Sequence, residues 1–520
     1  MFADCSAIKP RQAKSLKFND PEASSFRAFL AALLGFSACF LAFVLHRHLI
    51  VERDSVRSGD ALFRHRALSG GEQMEVQVYT TCQPSLIQTA LDPDLVLSGL
   101  GGQCGQSEAA TIRSALDAAG YIQGQGQRNG WVAPHLVSRL MRAVWSKNST
   151  ELERMMPFVQ RTAGKGKLGA LVKFFAWGFP MATEDLAQLL GTPAVDALHA
   201  CRLLMPCSNL PTVSASAVTM SPVQHTSTLV ATDWPMHGLK GMREQMVYSI
   251  GEDSTGLAAN SPQAEGERVL DLCTGSGVQG IIAAKRGAAD VVLLDRNPRA
   301  LRFAQFNAWL NSVGDVVRVV QGDLREESTL ASLQPGFDML LANPPFIPTP
   351  PTEHQRMLYA DGGSSGEDVL TLVLRSAMSL LKANGTFTVV TQVANPQQFA
   401  AHLCSDLHLR GFSGSIAYRT PTTPAVNYAH AHTRKFKGAG FVEQLENLKA
   451  NSIDDIASGF IFGWRDRAHK GSCGTFFTAG MKMADLQDVG VASQPLPVKK
   501  RPCYWAQWGG RRYRSCPDLV

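Results

Sequence analysis

The residues in this sequence best suited to chemistry are Asn343-Pro344-Pro345-Phe346. They end an apolar run, Phe337–Ala342, that reads as a buried strand. Two prolines cannot continue a central strand. The chain must therefore break at the strand's carboxyl end, where open α/β sheets hold ligands. The break offers one amide side chain, two fixed carbonyls and an aromatic ring. An amide or exocyclic amine is a poor nucleophile because its lone pair is delocalised. Asn343 Oδ1 and the Pro344 carbonyl can accept both of its N–H groups and aim that lone pair, and Phe346 can stack on the planar group. Such a site works by orientation and hydrogen bonding and requires no metal or strong base.

A second constellation is Asp271-Leu272-Cys273-Thr274-Gly275-Ser276-Gly277-Val278-Gln279-Gly280, which leaves a strand and opens a helix. Gly275-x-Gly277-x-x-Gly280 fits the dinucleotide fingerprint, in which the backbone passes close to a ligand at a helix amino terminus. Asp295 ends the next strand, placed for a ribose hydroxyl pair. These features alone leave NAD and S-adenosylmethionine (SAM) both open. Asp271 suits a cationic methionine group and opposes pyrophosphate. Asp323, in Gln321-Gly322-Asp323, is placed to accept from an adenine amino group. Asp271 and Asp323 could instead be simple helix caps. Three acids at three successive strand ends favour SAM.

These motifs need strands and helices in alternation, and the chain supplies them from Arg268 onward. Val269–Leu272, Val291–Leu294, Val316–Val320, Phe337–Ala342, Thr386–Val390, Ser415–Tyr418 and Gly459–Trp464 read as strands. Helical patterns cover Val278–Arg286, Pro298–Asn311, Asp368–Ala383 and Gln397–Leu407. The expectation is a Rossmann-like, doubly wound α/β sheet of seven strands. Before it, residues 106–235 read as a mainly helical, winged-helix-like region. Ile112, Leu116 and Ala119 share a helix face, and Val137, Leu140, Met141 and Val144 form another apolar stripe. Thr150-x-x-Glu153 is a capping-box pattern. Leu168–Phe179, Thr183–Leu190 and Ala194–Leu204 read as further helices, and Val213–Val218 and Thr228–Ala231 as a hairpin.

Residues 1–27 are polar, and 28–45 form an uncharged, mostly apolar segment. Eighteen helical residues cover about 27 Å, near a hydrocarbon core's thickness. The expectation is a single membrane anchor, or else a cleaved targeting segment. Basic residues flank the segment on both sides and leave its orientation open. A SAM enzyme needs a SAM-supplied side, cytosol or organelle stroma. Residues 46–105 read as a linker, 236–467 as the catalytic domain and 468–520 as a basic tail. The tail's bases and aromatics suit single-stranded RNA, or form a solvated surface. The net charge of +6 over 520 residues permits an anionic partner without demanding one. Eleven scattered cysteines suggest reduced thiols rather than a disulfide framework or zinc site. His430 and His432 lack ligands at metal spacing and read as a surface loop.

Asp271-x-x-x-Gly275-x-Gly277, Asp295 and Asn343-Pro344-Pro345-Phe346 together resemble class I SAM-dependent methyltransferases of the "small domain" group. That group includes release-factor glutamine methyltransferases and RNA guanine-N2 and adenine-N6 methyltransferases. Tyr359-Ala360-Asp361-Gly362-Gly363-Ser364-Ser365-Gly366-Glu367-Asp368 and the lead-in Val247–Ser254 are similar to segments of the same group. The resemblance covers residues 245–465 and implies an antiparallel last strand. It implies that Asp271, Gly275 and Gly277 hold the methionine end, Asp295 the ribose and Asp323 the adenine, with Cys273, Arg296 and Leu324 beside them. Asn343 and Pro344, with Pro345, would hold the target nitrogen, against Phe346. Glutamine enzymes of the group typically carry Tyr at the Phe346 position, and RNA enzymes commonly Phe. The implied activity is N-methylation of a protein glutamine, as on a release factor. The alternatives are N-methylation of structured RNA, a catalytically silent SAM-binding module and, more distantly, an NAD oxidoreductase.

Overall fold

The computed structural model describes residues 96–122, 154–159, 166–207, 210–223, 226–235, 244–353, 357–409, 411–436 and 440–465, with isolated strands at 61–63, 78–79, 473–479, 504–508 and 511–515. The apolar segment 28–45, the stripe at 137–144 and the capping box at 150–153 lie outside these residues. Among the described residues no helix is long and apolar enough to cross a membrane.

The first strands are β1 (Ala61–Phe63) and β2 (Val78–Tyr79), followed by helices α1 (Gln106–Ala118) and α2 (Gly166–Trp177). Strand β3 (Met181–Ala182) leads into α3 (Thr183–Leu190) and α4 (Thr192–Ala200), which enters on Pro193. Four short strands follow: β4 (Leu204–Cys207), β5 (Leu210–Ser216), β6 (Thr219–Pro222) and β7 (Leu229–Thr232). They correct two expectations. Residues 210–216 pair with 204–207 and with Met181–Ala182, while the hairpin that includes Leu229 runs back to Thr219–Pro222. Residues 61–63 and 78–79, inside the expected linker, join the same five-stranded sheet. Cys104, just before α1, is disulfide-bonded to Cys201, which ends α4. Cys207 and Cys404 are disulfide-bonded too, so the expectation of reduced thiols does not hold for these.

The second region alternates as the sequence predicts. Its elements are α5 (Glu252–Asn260), β8 (Arg268–Leu272), α6 (Val278–Lys285), β9 (Asp290–Asp295), α7 (Pro298–Leu310), β10 (Val317–Gln321), α8 (Glu327–Ser332) and β11 (Phe337–Ala342). After them come α9 (Asp368–Leu380), β12 (Leu381–Ala394), α10 (Pro396–Leu409), β13 (Phe412–Thr420), β14 (Thr423–Pro424), α11 (Ala425–Phe436), α12 (Phe441–Ala450) and β15 (Asp455–Arg465). The sheet runs β10-β9-β8-β11-β12-β15-β13-β16, where β16 is Cys473–Ala479. Neighbours from β10 to β12 are parallel, and β15 runs antiparallel between β12 and β13. The sheet therefore exceeds seven strands: β16 extends one side in parallel with β13, and β14 pairs with β15. The expected tail also holds a hairpin, β17 (Tyr504–Trp508) with β18 (Arg511–Ser515). His430 and His432 sit on α11 rather than in a loop, and His432 is buried.

The strands are apolar on both faces because helices cover both sides: Leu270, Leu272, Val292, Leu294 and Leu340 pack on one side, Val269, Val291, Leu293, Met339 and Leu341 on the other. The two regions share an apolar cluster, in which Ile112, Leu116, Phe174 and Val213 join the Ala300, Phe303, Phe306 and Leu310 face of α7.

Candidate active site

The carboxyl ends of β8, β9 and β11 lie in register, with Leu272 opposite both Leu294 and Ala342. The loops that follow them surround one cavity of about 840 Å3. Between β8 and α6 the chain turns on three positive-φ residues, Cys273 (φ +55°), Gly275 (+55°) and Gly277 (+83°). The glycines have different duties. A Cβ at Gly275 would meet nothing, because it faces open space. A Cβ at Gly280 would overlap Leu293 and lie 2.9 Å from Val291, so Gly280 lets α6 pack closely on the sheet.

Asp271 sits fully buried beneath this turn. Its Oδ2 accepts from Thr274 Oγ1 at 2.6 Å and from the Gly280 amide at 3.0 Å. Its Oδ1 is buried with no hydrogen-bond partner in the protein. Burial raises its pKa to about 7, against the lowering effect of those two hydrogen bonds. Asp295 tethers the other side of the turn. Its Oδ2 accepts from Gly275 N at 2.8 Å and its Oδ1 from Asn297 N at 2.9 Å. Burial holds the Cys273 thiol well above its ordinary range, reinforced by the nearby Asp295 and Asp271 carboxylates, so it is a neutral neighbour rather than a nucleophile. Asp323 pairs with Arg296 at 3.5 Å and Arg325 at 3.6 Å on the cavity rim.

The break after β11 is equally well anchored. The Ile347 amide donates to Ala360 O at 2.8 Å, the Gly362 amide to Ile347 O at 3.0 Å and the Thr349 amide to Gly363 O at 2.8 Å. Helix α12 clasps both loops: Gln444 Nε2 donates to Pro348 O and Asn447 Nδ2 to Ser364 O, each at 2.9 Å. Phe346 packs with Tyr359 against Ile347, Met357 and Ala360. Asn343 Nδ2 donates to Asp253 Oδ2, at 3.1 Å, from the first turn of α5.

Most of the residues singled out in the sequence border this one cavity: Asp271, Cys273, Gly275, Asp295, Arg296, Asp323, Leu324, Asn343, Pro345 and Phe346. Two do not. Gly277 lies under the turn, where a Cβ would come within 3.1 Å of Ala304 and Leu293, and Pro344 is buried. Sequence reasoning gave no role to Asp253, Tyr248 and Tyr359, although each stands in a segment it singled out, and passed over Gln392, Arg419 and Ser458. Asp253 and Tyr248 stand inside the lead-in Val247–Ser254, but nothing in one sequence pairs them with Asn343, ninety residues away. Among the described residues no group of His, Cys, Asp and Glu could hold a metal ion.

A doubly wound sheet with acids and a glycine turn around one cavity, and an Asn-Pro-Pro break beside them, defines a methyltransferase-type site. Comparison with known proteins gives the family. The model of the methyltransferase small domain matches residues 246–405. A Methanocaldococcus jannaschii protein, named as a candidate protein N5-glutamine methyltransferase, is 32% identical over 158 residues, 30% of this chain and 77% of that protein. A tRNA1(Val) (adenine(37)-N6)-methyltransferase of Bacteroides fragilis is 30% identical over 152 residues, 28% of this chain and 61% of that enzyme. A solved structure of a candidate RNA methyltransferase from Pyrococcus horikoshii covers 43% of this chain and 89% of its own at 15% identity, with a TM-score of 0.26. The chain belongs to the methyltransferase small-domain family, and it is a SAM-dependent methyltransferase.

Proposed function

We propose that the chain methylates the nitrogen of a planar NH2 group, a protein glutamine side chain in the first instance. The observation that carries this is the orientation of Asn343. Its only side-chain donor, Nδ2, is given to the Asp253 carboxylate. Its Oδ1 is therefore left to accept from a substrate N–H, because the flipped amide would set oxygen against carboxylate. An alkoxide or carboxylate nucleophile meets an acceptor here and is repelled. An NH2 finds its partner in Oδ1, on a turn that the ring of Pro344 stiffens.

The residues present fit SAM. The unpartnered, buried Asp271 Oδ1 suits the methionine ammonium, and the open space over Gly275 lets a ligand lie close to the turn. Asp295 stands ready for the ribose and Asp323 for the adenine, with Cys273, Arg296 and Leu324 around them. When bound, SAM supplies an electrophilic methyl group. The substrate nitrogen, held by Oδ1, turns its lone pair toward that methyl. Transfer would form the N–C bond as the S–C bond breaks, and the displaced N–H proton would pass to water.

RNA is the second reading, and Phe346 favours it, since an aromatic ring without a hydroxyl is suited to stacking on a base. Full-length protein incubated with methyl-labelled SAM and separate release-factor, ribosomal-protein and transfer-RNA fractions distinguishes the two. Label on glutamine in a protein fraction is expected, and label in RNA alone overturns the glutamine reading. The winged-helix-like reading of residues 106–235 and the anchor reading of 28–45 belong to the proposal as well. In it, the first region presents the macromolecular substrate and the segment attaches the enzyme to a membrane on a SAM-supplied side. Alkaline extraction of membranes checks the attachment: release into the supernatant removes it.

A further inference from the structure

We propose that Asp253 is a positioning residue that keeps Asn343 in its accepting orientation, and that Tyr248 and Tyr359 hold Asp253 in turn. This rests on the clamp reading of Asn343. Asn343 stands on a break between two prolines and β11, so its backbone is fixed, but its amide can still rotate by half a turn. Backbone geometry does not choose between the two orientations. The partner at Nδ2 does. Asp253 offers only acceptors, and its Oδ2 lies 3.1 Å from Asn343 Nδ2.

The carboxylate is itself fixed from several directions. The Tyr248 hydroxyl stands against it, the two oxygens crowding one point above Gly251. The Tyr248 ring stacks on Tyr359, with centroids 5.2 Å apart and planes 21° from parallel. Tyr359 belongs to the segment whose Ala360 and Gly362 latch the loop after Phe346, and the preceding Leu358 amide donates to Glu244 O at 3.1 Å. Gly251 leaves the space this arrangement needs: a Cβ there would overlap Asp253 Oδ1 and lie 2.5 Å from Tyr248 Oη. Helix α5, which carries Asp253, is pinned to α6 by Gln279 Nε2 donating to Ser254 O at 2.8 Å. The lead-in segment, the glycine-turn helix and the latch loop thus converge on one side-chain amide.

A residue that only supports the fold would change stability or SAM affinity. A residue that orients Asn343 changes turnover. In the full-length enzyme, with the fraction that accepts label as substrate, Asp253→Ala is expected to lower kcat by about 10- to 100-fold, the scale on which a misplaced group acts. The KM for substrate and the SAM dissociation constant, measured by calorimetry, should stay within about twofold. Asp253→Asn keeps an acceptor for Nδ2 and is expected to fall between wild type and Asp253→Ala. In an Asn343→Ala background, Asp253→Ala should add no further loss. A full additional loss there, or an unchanged kcat in the single variant, overturns the positioning role. Should Asp253→Ala fail to fold, Asp253→Asn decides alone: a loss equal to that of Asn343→Ala means the charge matters rather than the hydrogen bond, and the proposal fails. The two readings separate cleanly, because an unchanged rate in Asn343→Ala sinks the clamp itself before Asp253 is considered.

Discussion

Asn343 and Asp271 carry the sharpest predictions at the scale of single residues. Removing an oriented acceptor that acts mainly in the transition state lowers kcat by about 100- to 1000-fold. Asn343→Ala should show a loss of that size in a single-turnover assay, with SAM affinity kept. Asp271 gives a pH signature. Burial raises its pKa in the folded protein from 3.8 to about 7. The folded state therefore binds the proton more tightly than the unfolded chain. The contribution of this group to stability is full below pH 3.8 and lost as pH rises through about 7. A bound ammonium reverses the preference by favouring the carboxylate. SAM affinity should rise with pH up to about 7, by at most about tenfold per unit, and the melting-temperature gain from SAM should rise with it. Asp271→Asn should flatten both trends and weaken binding, and a parallel pH profile in the variant would contradict the role. The motif residues were legible because their spacing is local: Asp271, Gly275, Asp295 and Asn343 each follow a strand. Asp253 was not, since a carboxylate in a lead-in segment looks like any helix-opening acid until its distant partner is known.

Helix α7 shows what elements add. Its span and its start at Asn297-Pro298 were readable, and Asn297 Oδ1 caps it by accepting from the Arg299 amide at 3.0 Å. Its second duty was not readable. Asn307 accepts from Ala231 N at 2.8 Å and donates to Ala231 O at 2.9 Å. Asn311 does the same for Leu229, at 3.0 and 2.7 Å. Two side-chain amides one helical turn apart thus satisfy the free edge of β7 as a neighbouring strand would. In sequence, buried asparagines at this spacing look like the polar side of an ordinary amphipathic helix. Arg299 adds a buried pair with Asp233, whose Oδ2 also accepts from Val247 N at 2.8 Å. Asn307→Ala or Asn311→Ala leaves buried backbone groups unpaired and should cost about 1–3 kcal/mol each in chemical denaturation. Arg299→Met strands the Asp233 carboxylate and should cost about 3–5 kcal/mol. Losses below about 0.5 kcal/mol at all three sites would show that this docking is not what holds β7.

For the whole molecule, the parallel character of the central sheet followed from the alternation of strands and helices, and its antiparallel last strand from the family pattern, because crossover helices favour parallel neighbours. The parts beyond that pattern stayed hidden. Strand β16 falls in a glycine-containing stretch without alternation, and its pairing with β13 exists only once the sheet is built. The hairpin registers between 204 and 232 differ from the expectation because turn residues near Gly-free Ser and Thr runs do not mark one partner over another. The shared core between α1, α2 and α7 predicts cooperative behaviour. Tryptophan fluorescence and far-ultraviolet circular dichroism should report one coincident unfolding transition in the full chain. Asn307→Ala combined with Asn311→Ala should split it into two.

The way β7 is docked also bears on how pieces of this chain would behave apart. An unpaired strand edge is a template for another strand, and native proteins cover it. Here the cover is two amides on a helix from a segment more than sixty residues further along. A fragment ending before α7 therefore carries β6 and β7 with the outer edge of β7 bare, and two such fragments can satisfy each other by laying those edges side by side. Light scattering on the purified fragment should show self-association that full-length protein lacks, and a proline at Ala231, which removes one edge donor, should suppress it. During synthesis, the same bare edge would stand exposed until α7 has left the ribosome.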